Sequence, residues 1–161
     1  MRVQASVGTQ QRRVGDSYRK TMEIHPKLTI EGTSSFSAIP AAEATMIVIT
    51  MDTFAKYTNH KDVLVAHSVD TISLPAAPTG ARREFTFPES MVSFDSYRDS
   101  SNVGGEVYKY FVCGVRDPVT KEIIAFDTNY PQLASLCAAH PEKRKEYLSF
   151  KKDDKLPSPL K

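Results

Sequence analysis

The sequence feature that most constrains the fold is the stretch EVYKYFVCGVR at residues 106–116, which follows a polar loop broken at Asn102-Val103-Gly104-Gly105. Its apolar side chains occupy both alternating positions: Val107, Phe111, Cys113 and Val115 on one predicted face, and Tyr108, Tyr110 and Val112 on the other. A strand that is apolar on both faces is typically central in a sheet. We therefore expect the rest of the chain to pair beside residues 106–116 or to pack over them.

The length and charge of the chain limit what this strand can belong to. A chain of 161 residues with 40% hydrophobic and 25% charged residues suits one globular domain. The net charge is +2, and the 21 lysines and arginines are scattered along the sequence, which argues against a nucleic-acid partner. No window approaches the roughly 18 apolar residues of a membrane span, so no membrane span is predicted.

Residues 18–30 show a second strong pattern, with apolar side chains at even positions and polar ones at odd positions. This alternation predicts a half-buried strand. Because Pro26 cannot donate an N–H group to a β-ladder, we expect the strand to lie at a sheet edge, or to bend where it passes between sheets. An exposed edge offers unpaired backbone groups, and we therefore expect self-association through this edge strand into a homo-oligomer.

Shorter segments complete the predicted architecture. Apolar runs and alternation predict strands at residues 44–52, 63–74, 83–87, 91–94 and 122–127. The first two should form an antiparallel hairpin, and residues 122–127 should pair back on residues 106–116. Pro131 opens a helical segment, with Asn129 near its cap, and a second helical turn follows from Pro141.

These elements predict a mainly β protein, an antiparallel immunoglobulin-like β-sandwich with a short C-terminal helical segment. A small barrel is the structural alternative. We expect a flexible N-terminal arm at residues 1–16, a single sandwich domain at residues 17–150 and a flexible tail at residues 151–161. The predicted core residues are Met22, Ile24, Leu28, Ile47, Ile49, Val65, Phe85, Phe87, Phe111 and Val115.

The sequence carries no recognisable catalytic motif, and no catalytic, cofactor-binding or metal-ligating residue is predicted. His25, His60, His67 and His140 are far apart and lack the spacing of metal ligands, and His67 suits a satisfied core or interface residue. The Gly104-Gly105 pair is interpreted as a turn that needs positive φ.

Two further possibilities, a calcium site at the polar loop and a disulfide between the two cysteines, are less favoured. Asp95, Asp99 and Glu106 flank the polar loop without the regular alternation of a calcium loop. Cys113 is expected on the core-facing side of its strand and Cys137 on a later helical segment, so we expect both thiols to be unpaired.

Several motifs carry a resemblance to a known family: Glu43-Ala44-Thr45-Met46, Met51-Asp52-Thr53, residues 94–110 (FDSYRDSSNVGGEVYKY) and Ala139-His140-Pro141-Glu142. In these the chain resembles a small family of secreted proteins of mucin-degrading verrucomicrobial gut bacteria, encoded beside pilus-related genes. The resemblance covers nearly the whole chain beyond the N-terminal arm. It implies an immunoglobulin-like sandwich similar to that of archaeal pilus subunits.

The same resemblance implies a secreted or cell-envelope location and a non-enzymatic role in pilus-related assembly, adhesion or contact with a host mucosal surface. The implied partners are pilus or surface components or a host surface molecule. Type IV pilins of that kind begin with an apolar helix, whereas this chain begins with polar residues that also lack the apolar region of a signal peptide. An intracellular or periplasmic ligand-binding or peptide-binding module, and a hydrolase with an unrecognised site, are the alternatives.

Overall fold

The structure is a computed structural model that describes residues 2–13, 19–32, 39–52, 63–78, 82–95 and 105–157. Its strands are β1 (Arg2–Arg13), β2 (Arg19–Glu31), β3 (Ala42–Asp52), β4 (Val63–Leu74), β5 (Arg82–Thr86), β6 (Ser90–Asp95), β7 (Glu106–Arg116) and β8 (Ile123–Thr128). Two short helices follow, α1 (Pro131–Ala139) and α2 (Glu142–Tyr147). Within the described ranges, no helix is long and apolar enough to cross a bilayer.

The strands form two antiparallel sheets that face each other. In sheet I, β1 pairs with one side of β2, and β5 and β6 pair one after the other with its other side. In sheet II, the strand order is β4-β3-β7-β8. The predicted immunoglobulin-like sandwich with a C-terminal helical segment is confirmed. Constant-type immunoglobulin domains place the fourth strand in the first sheet, whereas here β4 stays beside β3.

Sheet II is covered on both faces, which divides the buried side chains into two clusters. The inner core lies between the sheets and contains Ile24, Leu28, Val48, Phe111 and Val115 among others. The outer core lies between sheet II and the C-terminal segment, and its members include Ile49, Val112, Leu133, Tyr147 and Leu148. The central strands β3 and β7 contribute to both clusters.

The prediction that β7 is central and covered on both faces is confirmed, but two side chains at its start were placed on the wrong faces. The β3–β7 register shifts where Ile49 pairs with Tyr110 and Thr50 with Tyr108, so Lys109 is an extra residue. Such a bulge reverses the alternation for the residues before it. Tyr108 consequently packs on the inner core and Val107 on the outer core.

The prediction that residues 18–30 form an edge strand is wrong, because β2 has neighbours on both sides. Pro26 is accommodated at the gap between β5 and β6, where its carbonyl oxygen accepts the N–H of Phe87 at 3.1 Å. The N–H and C=O groups of one strand residue point to the same side. The missing donor of Pro26 therefore falls at a break in the ladder, where no partner strand needs it.

The predicted flexible arm and tail are also corrected. Within residues 1–16, Arg2–Arg13 form β1 and pair with β2 along its length, since Val3, Ala5 and Val7 point into the inner core. Within residues 151–161, the described part docks on β4: the N–H of Leu156 donates to the Leu64 carbonyl at 2.9 Å. Leu156 itself is buried in the outer core.

The predicted core is largely confirmed. Val65 and Phe85 are half-buried, and the other eight predicted residues are buried. Ile47 and Ile49 belong to the outer core. Asn129 does not cap α1, since its amide bonds the Phe111 N–H and the Tyr108 hydroxyl instead.

Phe111→Ala is expected to destabilise the protein by about 3–5 kcal/mol, because the ring fills the inner core at 3% exposure. Urea denaturation of both proteins measures the change. Val119→Ala is the control, because that side chain is 86% exposed and its removal should leave the midpoint unchanged. An unchanged midpoint for Phe111→Ala would contradict the placement of β7 at the centre.

Gly114→Ala is expected to destabilise the protein by about 1–3 kcal/mol through overpacking. A Cβ at Gly114 would lie 2.2 Å from Leu148 Cδ1 and 3.1 Å from Leu148 Cγ, so this buried side chain would have to shift. Gly8→Ala is the matched control, since its Cβ would approach nothing closer than the His25 carbonyl oxygen at 3.9 Å. Equal urea midpoints for the two variants would contradict this packing.

Candidate functional site

A groove of about 650 Å³ crosses the outer face of sheet I, the face that the C-terminal segment does not cover. It runs over β1 and β2 to the connection between β5 and β6. Its lining consists of Ser6, Val7, Gly8, Thr9, Gln10, His25, Pro26, Lys27, Thr86, Phe87 and Glu89. We call this the sheet I groove.

The groove exists because two local features lower the sheet surface at one place. Gly8 lies opposite His25 in the β1–β2 pairing and carries no side chain. Next to it, β5 ends at Thr86 and β6 begins at Ser90, which leaves a gap beside Pro26. The floor is therefore backbone of the paired strands, and the walls are side chains of β1, β2 and the β5–β6 connection.

His25 lies in the groove between two carboxylates. Its Nδ1 lies 2.9 Å from Glu89 Oε1, and its Nε2 lies 3.4 Å from Glu23 Oε2. Arg12 approaches the other oxygen of Glu23 at 3.8 Å. The hydrogen bond with Glu89 is the main cause that raises the pKa of His25 above its ordinary value, and Glu23 adds to it.

The lining can form hydrogen bonds of several kinds. Ser6, Thr9 and Thr86 carry hydroxyls, Gln10 an amide and Lys27 an ammonium group. His25 directs both ring nitrogens at carboxylates, so it is poorly placed to take a proton from a neighbouring hydroxyl. The arrangement suits the recognition of a polar ligand better than nucleophilic chemistry.

A second polar cluster joins three strands of sheet II. His67 Nδ1 lies 3.2 Å from Glu106 Oε2, and the Thr50 hydroxyl donates to the same oxygen at 3.1 Å. His67 is the extra residue of a bulge in β4, where Val48 pairs with Ser68 and Ile49 with Ala66. The interpretation of His67 as a satisfied residue therefore agrees with its contacts.

The remaining candidate residues do not gather into a site. His140 is exposed and lies 3.6 Å from Glu142. Gly105 has the predicted positive φ, 101°, and a Cβ there would lie 2.1 Å from the Ser93 carbonyl oxygen. His60, Asp99 and Gly104 lie outside the described residues, and nothing is described for the Asp95 side chain. Among the side chains that are described, no group of three is arranged to hold a metal ion.

The prediction that both cysteines are unpaired is confirmed. Cys113 lies in the inner core and Cys137 in the outer core, so sheet II separates them. Burial raises the pKa of the Cys113 thiol to about 12 and also raises the pKa of Cys137. Both thiols are therefore protonated at neutral pH and poorly reactive.

The sheet I groove was missed in the sequence, because Gly8 and Gln10 were assigned to a flexible arm. One signal was present. Val3, Ala5 and Val7 alternate with polar residues and end at Gly8, which is a short strand pattern containing a glycine.

Comparisons with known proteins add little to this geometry. No protein-family model matches the chain, and no curated protein matches it significantly. A crystal structure of a protein from Akkermansia muciniphila is similar, with 12% sequence identity over 80% of this chain and 71% of that chain, at a TM-score of 0.32. Akkermansia muciniphila is a verrucomicrobial gut bacterium, but at this TM-score the likeness is distant.

The raised pKa of His25 predicts a pH-dependent contribution to stability. A group whose folded pKa exceeds its unfolded value stabilises fully below the unfolded value, about 6.5, and this stabilisation is lost as pH rises through the folded pKa. His25→Gln should therefore lower the urea midpoint more at about pH 5.5 than at about pH 8.5. An NMR titration of the imidazole, repeated in Glu89→Gln, should show a lower pKa in that variant. Equal pKa values in the two proteins would contradict the contact.

Proposed function

We propose that the protein is a non-enzymatic, secreted or surface-associated binding module that serves pilus-related assembly or contact with a host mucosal surface, and that the sheet I groove is its binding surface. The single observation that carries the proposal is the polar groove on the one sheet face that the C-terminal segment leaves open. Its walls stand on paired strands, so the hydrogen-bonding groups are held in fixed positions.

The composition of the groove favours a polyhydroxylated ligand, such as the glycan chain of a mucosal glycoprotein. Hydroxyl, amide and charged groups lie along the same lining, and each can bond a sugar hydroxyl as donor or acceptor. Gly8 lets a ligand approach the backbone closely. This favours host surface contact over a purely structural role in a filament.

A binding role is favoured over hydrolysis by the state of His25. The imidazole is held by Glu89 and Glu23, and its pKa is raised, so a larger fraction of it is protonated near neutral pH than for a free histidine. A protonated imidazole donates hydrogen bonds and carries a positive charge, but it does not act as a general base.

The proposed location and the pilus association rest on the motifs, which lie elsewhere in the fold. Glu43 to Met46 lies in β3, residues 106–110 begin β7, and His140 lies between the helices. These motifs maintain sheet II and its cover. They therefore support a relationship between this fold and that of the pilus-associated family. They say nothing about which ligand sheet I binds.

Gly8→Tyr is expected to weaken binding to immobilised mucin glycoprotein at least tenfold, about 1.4 kcal/mol, because the ring would fill the groove. Gln4→Tyr is the matched control, since Gln4 is an exposed residue of the same strand outside the groove lining. Biolayer interferometry measures both variants beside the wild-type protein. We expect wild-type and Gln4→Tyr proteins to bind equally.

Two outcomes would refute the proposal. The first is a wild-type protein that does not bind mucin, and the second is a Gly8→Tyr variant that binds as tightly as wild type. Either result would show that the sheet I groove is not the mucin-binding surface. Turnover of a glycoside or ester substrate that is abolished in His25→Gln would instead establish a hydrolase.

A further inference from the structure

A second cleft, of about 570 Å³, lies at the far end of sheet II, between the β7–β8 turn and α2. It is lined by Arg116, Thr120, Lys121, Glu122, Ile123, Lys145 and Ser149. Three of these side chains are cationic and one is a carboxylate. We call it the basic cleft.

Neighbouring acidic residues already have other partners. Glu43 holds Lys121 at 2.9 Å, Glu146 holds Lys143 at 2.9 Å, and Glu142 lies 3.6 Å from His140. Within the described ranges, Arg116 and Lys145 are left without an ion pair. With Lys121 paired with Glu43, the lining keeps two unpaired cations, Arg116 and Lys145, and one carboxylate, Glu122, while the Asp117 carboxylate in the adjoining turn is held by backbone N–H groups.

The turn that forms one wall is held rigidly. The Asp117 carboxylate accepts the N–H groups of Val119 and Thr120 at 2.8 and 2.9 Å, and these bonds are the main cause that lowers its pKa. Lys121 adopts a left-handed conformation with φ 62° and donates its N–H to the Asp117 carbonyl. The positions of Thr120 and Lys121 are therefore set before any ligand arrives.

The free hydrogen-bond donors of the cleft match an oxyanion. Arg116 is half-buried at the end of β7, and its planar guanidinium can donate two parallel N–H bonds to one anionic group. Thr120 Oγ1 accepts the Glu122 N–H at 3.3 Å, and its hydroxyl bonds the Asp117 carboxylate, so Thr120 is not a free donor. The Ser149 hydroxyl likewise already donates to the Lys145 carbonyl.

We propose that the basic cleft binds an oxyanion group, a sulfate ester or a carboxylate, on a ligand larger than the group itself. Arg116 is the bidentate donor, and Lys145 adds a second positive charge. The cleft lies on sheet II, so this site is independent of the sheet I groove.

The test is an NMR titration of the intact protein with sodium sulfate, and separately with sodium acetate, at constant ionic strength. We expect saturable shifts of the Thr120, Lys121 and Ser149 amides. Arg116→Gln should weaken the fitted affinity at least fivefold, and Arg116→Lys should weaken it less. Glu122→Gln should strengthen it, because the opposing carboxylate is removed. Arg83→Gln is the control for charge loss alone, since Arg83 lies on β5 in the other sheet.

Dextran sulfate and uncharged dextran then distinguish a free ion from a group on a chain. The proposal is supported if dextran sulfate binds more tightly than sulfate and if this gain is lost in Arg116→Gln. Binding of the inorganic ion alone would overturn the claim that the ligand is larger than the oxyanion group. Shifts that do not saturate, or that are equal in Arg116→Gln and wild type, would overturn the whole proposal. Gly8→Tyr should leave these titrations unchanged. A failure of the groove proposal can therefore be distinguished from a failure of the basic-cleft proposal.

Discussion

The structure depends on the pairing of β3 with β7. Both strands are buried on both faces, so their backbone groups must be satisfied within the sheet, because an unpaired buried amide is costly. The inner face then requires sheet I as cover, and the outer face requires the helices. Gly114 lets Leu148 approach β7 closely, which couples the outer core to the central strand.

This double cover decides which surfaces are open to other molecules. Sheet edges are partly closed by the chain itself: the Asp127 carboxylate accepts the Ala5 N–H at 2.8 Å, and the Leu64–Ala66 edge of β4 pairs with residues 153–156. Such caps oppose uncontrolled strand pairing. Recognition is thereby directed to the outer face of sheet I and to the end of sheet II, where the groove and the basic cleft offer different chemistry.

Much of the fold could be predicted because alternation is a local property. The bounds of β4 and β7, the hairpin partners and the unpaired cysteines all follow from residue patterns or from their faces. The interior position of β2 in sheet I was not predicted, because Pro26 removes a donor at one point only, and a single missing donor does not place a strand at an edge. The sequence does not show that this point coincides with the gap between β5 and β6.

The sequence by itself determined strands β2 to β8, the sandwich class and the two-sided burial of β7, since these depend on side-chain period and volume. Tertiary structure alone decided the faces of Val107 and Tyr108, because the bulge at Lys109 is a property of the pairing with β3. It also decided both candidate sites. Gly8 lies opposite His25, and Arg116 and Lys145 line one cleft, only after long-range strand pairing and helix docking.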